Sequence, residues 1–594
     1  RKPAWEFFYT NMLPEDQAAR DATVEEAAEL LAEVDASLAD AELFGTEAQV
    51  ATCQEQVLVA QIALAEAQAP ANFPVNYCFS PNGTELTAMT VQSWVEACPE
   101  DDVLSNDWSN MYQEGDRSEM FRCLRTRPEF QQDVPMYRTF YGIHSRVFLV
   151  REHGELAIPV VDREATADTP DSDTLINVNP DDDDETDIRE GDSAIAVTQA
   201  VFRAIRSCKG GHQGCPAATN GCMLPYHLSL HRSQKLHPKA RWVCDADDTY
   251  GGGRAEHLYP AFDSMLADAL QSCHHRPNLA KLKAFSPVHG AANVPANIVQ
   301  AQGGAITGFK CVGTFIAPPS EAGDAWRREQ LAAAMRKRLQ PLDEIDAMED
   351  SENETDIKQL RYNYLRRSFQ LIPNYWMRTL PPRITQPVMA TVVVPRFRQS
   401  LERLAAARAT PQEERDRWWF RAQLPTSMGG EGVGGQDTQC DAAYAASVLA
   451  CWPRLRATSS CFALVPLLAN IPMLRDFTQS FLQLVQLRDD IEATYTEFAK
   501  HPHHFITGDK FKGYFRPQKL PKSLRTLHEM LNRENPSLPT AQRSFSLVKH
   551  HERWLQGRTA ALAADEACGD RRYPCAATFI SASQYGAGAW LDLA

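Results

Sequence analysis

Long apolar runs are what the 594 residues lack most plainly. None approaches the roughly 18–20 residues a membrane span needs, and the best candidate, CFALVPLLA, is broken by Pro466. No membrane partner is therefore expected. The N-terminus has no signal-peptide pattern. Fifteen cysteines are scattered without a regular framework, which favours reduced thiols and an intracellular setting, nuclear or cytoplasmic, over a disulfide scaffold. Cys208, Cys215 and Cys222 with His212 lack the short Cys-x2–4-Cys hook of a structural zinc site, and HPHH at 501–504 reads as a loop. There is no internal repeat. The chain opens on Arg1 and ends in WLDLA, an apolar stretch that fits a piece of a longer reading frame.

Positive charge is also in short supply. A formal net charge of −17 argues, taken whole, against a polyanionic partner. The distribution alters that. Residues 161–192 carry 13 acidic and 2 basic side chains, and residues 1–50 carry 12 and 3; taking both segments out of the total leaves +3. Two acidic segments set the global charge, and the rest is mildly basic.

The 594 residues have the length for roughly three to four domains. From Val24, the residues Val24, Ala27, Ala28, Leu31, Val34 and Leu38 recur at helical spacing, which predicts an amphipathic helix. VLSND at 103–107 and IHSRVFLV at 143–150 have strand character. Residues 161–193, with a DDDDE run and little apolar mass, read as a disordered acidic insertion. Beyond 320 the sequence turns helical and arginine-rich, PP and PR steps at 381–383 mark a loop, and LPTSMGGEGVGGQ at 424–436 is a glycine-rich break before another helix. Phe477, Phe481, Leu484, Ile491, Tyr495 and Phe498 predict a long amphipathic helix.

RWVCDADDTYGG at 241–252 places three aspartates in four positions between an apolar run and glycines. Alone, it is a plausible hairpin turn. An Asp-x-Asp pair after a buried strand also suits the cation site of a nucleotide-sugar glycosyltransferase. Three other segments frame it: VLSNDWSNMYQEGDR, where Asp107 ends a strand and Tyr112 follows; SCKGGHQGCP, a glycine-rich turn with Gln213 and Gly214; and RPNLAKLKAFSP, with Asn278, Lys281 and Lys283.

In that order these segments resemble the reverse transcriptases of eukaryotic, non-LTR-type retroelements. VLSNDWSNMYQEGDRSEM resembles their motif A, KGGHQGCP motif B, WVCDADDTYGG motif C and PNLAKLKAFSP motif D. MYRTFYGIHSRVFLVREHGE is similar to the strand pair that follows motif A, GFKCVGTFI to the strand leading to the thumb, and LPTSMGGEGV and the final YGAGAWL to later stretches of these elements. The likeness spans roughly 100–594. Gly214 and Asp247 lie 33 residues apart, room for the helix and strand that a palm has between motifs B and C.

The resemblance implies an α+β right-hand palm, a small antiparallel sheet with packed helices, followed by a mostly helical thumb and a C-terminal helical extension. The expected domains are a partial fingers or N-terminal helical region over 1–95, the palm over 96–320, a thumb-like region over 321–415 and the extension over 416–594. It implies RNA-directed DNA polymerisation, with an RNA template, a DNA primer and dNTPs as partners. Two Mg²⁺ or Mn²⁺ ions about 3.5–4 Å apart would activate the primer 3′-hydroxyl and neutralise the leaving pyrophosphate. Hard cations call for carboxylates, so Asp107, Asp247 and Asp248 are the expected catalytic and metal-binding residues. Successive strand side chains alternate faces, which makes Asp247 the principal ligand of the pair and Asp248 the weaker. The nucleotide-binding set is Trp108 through its backbone carbonyl, Asn110, Tyr112 as the ring under the incoming sugar, Gln213 and Gly214 for close backbone approach, and Lys281 as charge partner or proton donor to the triphosphate. Arginines after 325 would follow template and primer phosphates.

The sequence departs from the family pattern in places. Asp245 stands where an aromatic residue is usual two positions before the catalytic pair, and CPAATN replaces the usual proline-rich motif B ending. Residues 1–95 show no clear basic fingers motif, and no endonuclease, RNase H segment or closing Cys/His cluster is identifiable. These departures leave open a decayed retroelement product that keeps the fold and binds nucleic acid without polymerising. Oligomeric state is not readable from the sequence.

Overall fold

The computed structural model describes residues 5, 8–44, 46–68, 72–109, 111–141, 145–149, 203–207, 216–347, 354–404, 411–425, 430–458, 461, 471–498, 522–531, 545–546 and 548–556. The acidic insertion, most of motif B, the HPHH sequence and the final YGAGAWL lie outside them. The chain divides into two compact units, each discontinuous in sequence: residues 1–68, 72–79 and 104–282, and residues 69–71, 80–103 and 283–594. Helices dominate, with a small mixed sheet.

In the first unit, α1 (Pro14–Phe44) and α2 (Glu47–Gln68) form a helical hairpin. The helical spacing from Val24 is real: Val24, Ala27, Leu31, Val34 and Leu38 are half-buried while their neighbours are exposed. Their cover is α2 rather than a core, so the stripe is never fully removed from water, and Ala28 stays exposed. Ahead of α1, Trp5, Phe8 and Tyr9 are buried against Phe130 and His227. The Tyr9 hydroxyl donates to the Asn220 carbonyl at 3.0 Å.

The strands of this unit's main sheet are β1 (Val75–Asn76), β2 (Asp102–Asn106, belonging here from Leu104 on), β5 (Arg241–Asp245) and β6 (Asp248–Gly253), in the order β1-β5-β6-β2. β1 runs parallel to β5, and β5 and β6 form an antiparallel hairpin with Asp245 opposite Asp248. VLSND accordingly forms a strand, buried through Val103 and Leu104. The second expected strand is β3 (Ser145–Leu149), paired antiparallel with β4 (Arg203–Ser207). Between the motif B residues and β5 stands one helix, α4 (Pro216–Leu236), packed on α5 (Ala255–Cys273). A third helix, α3 (Arg117–Thr126), starts where the Asp116 carboxylate accepts the Ser118 N–H at 2.7 Å, which satisfies a donor that a helix start leaves unpaired.

β6 packs too closely for a side chain at Gly251. A Cβ there would lie 2.7 Å from Trp242 Cζ3 and 3.1 Å from Leu104 Cδ2. The glycine in DDTYGG therefore lets β5, β6 and β2 close on one another.

The second unit holds the hairpin Phe309–Cys311 and Thr314–Ile316 and a large helical core around Leu331, Leu365, Ile384, Met389 and Phe397. Its helices include α6 (Glu321–Leu339), α7 (Gln436–Thr458) and α8 (Pro472–Phe498). On α8, Phe477, Phe481, Leu484 and Ile491 are buried, as their spacing predicts. Two local expectations fail. The proline pair at 381–382 opens a helix, Pro382–Val388, because proline at the first helical position gives up an N–H that has no partner anyway. Arg327, expected among phosphate-facing arginines, is fully buried and ion-paired to Asp324, which also binds Arg383; Arg383 in turn reaches Asp476 at 2.8 Å. Arg336, Lys337 and Arg338 of the same helix are exposed.

Candidate functional site

All the described site residues expected from the sequence fall in the first unit. β2 ends at Asn106, so Asp107 is the first residue beyond a buried strand, and β2 lies next to β6, which begins at Asp248. The turn of the β5–β6 hairpin is Ala246–Asp247, since Asp245 and Asp248 face each other across it. Ala246 has a φ of +56°, a left-handed conformation that costs an L-residue roughly 1–2 kcal/mol but matches the twist of a two-residue hairpin.

The Asn278–Lys281 segment is tied to the residues around Asp107 through the backbone. Asn278 N–H donates to the Asp107 carbonyl at 2.8 Å and Ser109 N–H to the Arg276 carbonyl at 2.9 Å, with an antiparallel bridge between Trp108 and Pro277. Lys281 then reaches Asp107, its Nζ 2.5 Å from Oδ2. Segments 174 residues apart in sequence meet there. Because the lysine side chain is 65% exposed, this pair adds little to stability; it places a cation beside the carboxylates.

Electrostatics show what the hairpin turn assembles. Burial pushes the Asp247 carboxyl above its ordinary range, and the charge of Asp107 raises it further while Lys281 opposes. Asp248 is pushed up to about 7, first by burial and then by Asp247, Asp107 and Asp245. Directly opposed residues of a hairpin share a face, so the unusual Asp245 points its charge to the same side as Asp248. These are oxygen donors suited to a hard divalent cation. As they stand, no three His, Cys, Asp or Glu side chains among the described residues are gathered closely enough to hold one ion, and Asp107 is engaged by Lys281. The expected metal set of Asp107, Asp247 and Asp248 is thus present as neighbouring charges and not as a closed coordination shell.

Tyr112 follows in a short helical turn, Met111–Glu114. It is half-buried, and burial followed by the Asp247 charge pushes its phenol upward, with the Thr219 side chain of α4 acting the other way. Trp108 is buried, its indole Nε1 donating to Thr249 Oγ1 at 3.4 Å. Asn110, Gln213 and Gly214 lie outside the described residues.

Two supporting residues escaped the sequence. Thr249, fully buried, meets the Tyr226 hydroxyl at 2.6 Å and donates to the Asp247 carbonyl at 3.3 Å. Asn76, also fully buried, accepts from Ala246 N–H at 3.2 Å and donates to the Ala246 carbonyl at 3.3 Å. The one available signal for Asn76 was a polar residue inside the short run FPVNYCF, 170 positions from its partner.

No protein-family model matches the chain, and no curated protein matches it in sequence. Among solved structures, it is similar to telomerase from Candida albicans in complex with a TWJ fragment of telomeric RNA, at 10% identity and a TM-score of 0.28, over 69% of this chain and 52% of that one. It is also similar to apo telomerase from Candida tropicalis, at 13% identity and a TM-score of 0.23, over 61% of this chain and 60% of that one. The chain thus spans less than two thirds of either neighbour.

Proposed function

We propose that Asp107, Asp247 and Asp248 form the nucleotidyl-transfer centre of an RNA-directed DNA polymerase of the retroelement type. The observation that carries this is the convergence of three remote segments: the strand end with Asp107, the hairpin turn with Asp247, and the Asn278–Lys281 segment whose lysine contacts Asp107. Mg²⁺ or Mn²⁺, when bound, would supply activation of the 3′-hydroxyl and neutralisation of the leaving pyrophosphate. Asp107 and Asp247 would hold it, with Asp248 contributing once it has lost its proton. Lys281, with a pKa raised by its bond to Asp107, stays protonated at neutral pH and stands ready to face the triphosphate. Tyr112 would lie under the incoming sugar. Template RNA, primer DNA and dNTPs are the proposed partners.

The glycosyltransferase alternative needs Asp107 remote from Asp247, whereas its charge raises the Asp247 carboxyl. A decayed product is favoured by one observation, the Asp245 charge on the same face as Asp248. Primer extension on an RNA template with Mg²⁺ separates the two. Template-directed incorporation supports the polymerase; salt-sensitive RNA binding with no incorporation selects the decayed form.

A further inference from the structure

We infer that Asn76 is a positioning residue that sets the conformation of the carboxylate-bearing turn. This rests on the proposed polymerase site, to which it adds a residue outside every motif that suggested it.

Asn76 ends β1, beside Cys244 of β5 in parallel register. Its carboxamide lies against the first turn residue, and both of its functional groups are used there. Oδ1 accepts the Ala246 N–H at 3.2 Å and the Cys78 N–H at 3.1 Å, while Nδ2 donates to the Ala246 carbonyl at 3.3 Å and lies 3.9 Å from Met223 Sδ. The amide thus imitates a strand neighbour for a single residue, satisfying both of its main-chain groups. That residue is Ala246, which holds a φ of +56° without being glycine. A strained conformation persists only where the surroundings over-determine it, and the next residue in the chain is Asp247. Rotation at Ala246 would swing the Asp247 carboxyl away from Asp107.

The chemistry restricts what can replace Asn76. Aspartate offers no donor and brings a buried charge. Glutamine has the right groups on a stem one carbon longer. Alanine leaves the Ala246 and Cys78 N–H groups without this acceptor. Glycine at 246, by contrast, visits positive φ at no steric cost, so Ala246→Gly lessens the turn's dependence on the clamp.

The test compares wild type, Asn76→Ala, Asn76→Asp and Asn76→Ala/Ala246→Gly by hydrogen exchange over residues 241–253, thermal unfolding and primer extension with Mg²⁺. Expected for both single variants is faster exchange, at least about tenfold, confined to the turn amides, with α4 and α5 unchanged. kcat falls roughly 10–100-fold while KM for dNTP stays within about threefold, as expected when only the reacting geometry is lost. The double variant recovers most of kcat. Unchanged turn exchange with kcat within twofold of wild type overturns the inference. So does a loss that tracks unfolding of the whole unit and is not recovered by glycine. If wild type itself does not extend primers while the localised exchange change appears, the clamp stands and the polymerase proposal falls.

Discussion

At the scale of single residues, the site is a set of like charges held together by the fold. Asp248 keeps its proton to about pH 7 because burial, and then Asp247, Asp107 and Asp245, oppose its ionisation. A carboxyl raised in the folded state binds its proton more tightly there than in the unfolded chain. Its contribution is whole below the ordinary carboxylate range and is lost as the pH rises toward 7. Asp245→Asn removes one repelling charge from the same face, and that repulsion acts only once Asp248 ionises, so the variant should gain stability over wild type as the pH approaches and passes about 7 and keep that gain above it. The gain at pH 8 should be on the order of 1 kcal/mol, read from denaturant unfolding at a series of pH values. A difference that does not vary with pH would mean that Asp245 does not act on Asp248. The same residue marks a limit of sequence reading. Asp245 stood out as a departure, but that it faces Asp248 follows from the register of a two-residue turn. Asn76 was invisible for a stronger reason: its role depends on a parallel strand pairing across 170 positions, which no local pattern encodes.

At the scale of elements, the hairpin β5–β6 and its neighbour β2 do the positioning. Apolar runs ending in aspartate made both strands legible, and the spacing from Gly214 to Asp247 left room for α4. The glycines after the aspartates were legible only as turn formers, although Gly251 works differently, as a gap filled by Trp242, Leu258 and Leu104. Gly251→Ala should therefore cost about 1–3 kcal/mol by overpacking, measured as a lowered denaturation midpoint with an unchanged slope. A neutral substitution would show that the strands are free to separate. Helix α1 teaches the converse. Its apolar period is plain in the sequence, yet period alone does not say whether the stripe meets a core or one partner helix.

At the scale of the whole molecule, the negative formal charge conceals a mildly basic remainder. Composition could not show which basic groups are available to a partner. Arg327 and Arg383 are committed to carboxylates, whereas Arg336, Lys337 and Arg338 are exposed on α6. If these three contact phosphates, replacing them with alanine should weaken RNA binding and make the slope of log K against log salt shallower by up to about 2, given roughly 0.7 per single-strand phosphate contact. Filter binding over a salt series checks this, and an unchanged slope would remove α6 from the interface.

The most direct measurement is single-turnover dNTP incorporation on an RNA template by wild type and by Asp247→Asn, a nearly isosteric change at the turn tip. Two-metal transfer centred on Asp107 and Asp247 predicts Mg²⁺-dependent incorporation that falls by at least about 10²-fold in the variant, with an unfolding midpoint no lower than that of wild type. Incorporation that survives Asp247→Asn at the wild-type rate would contradict it.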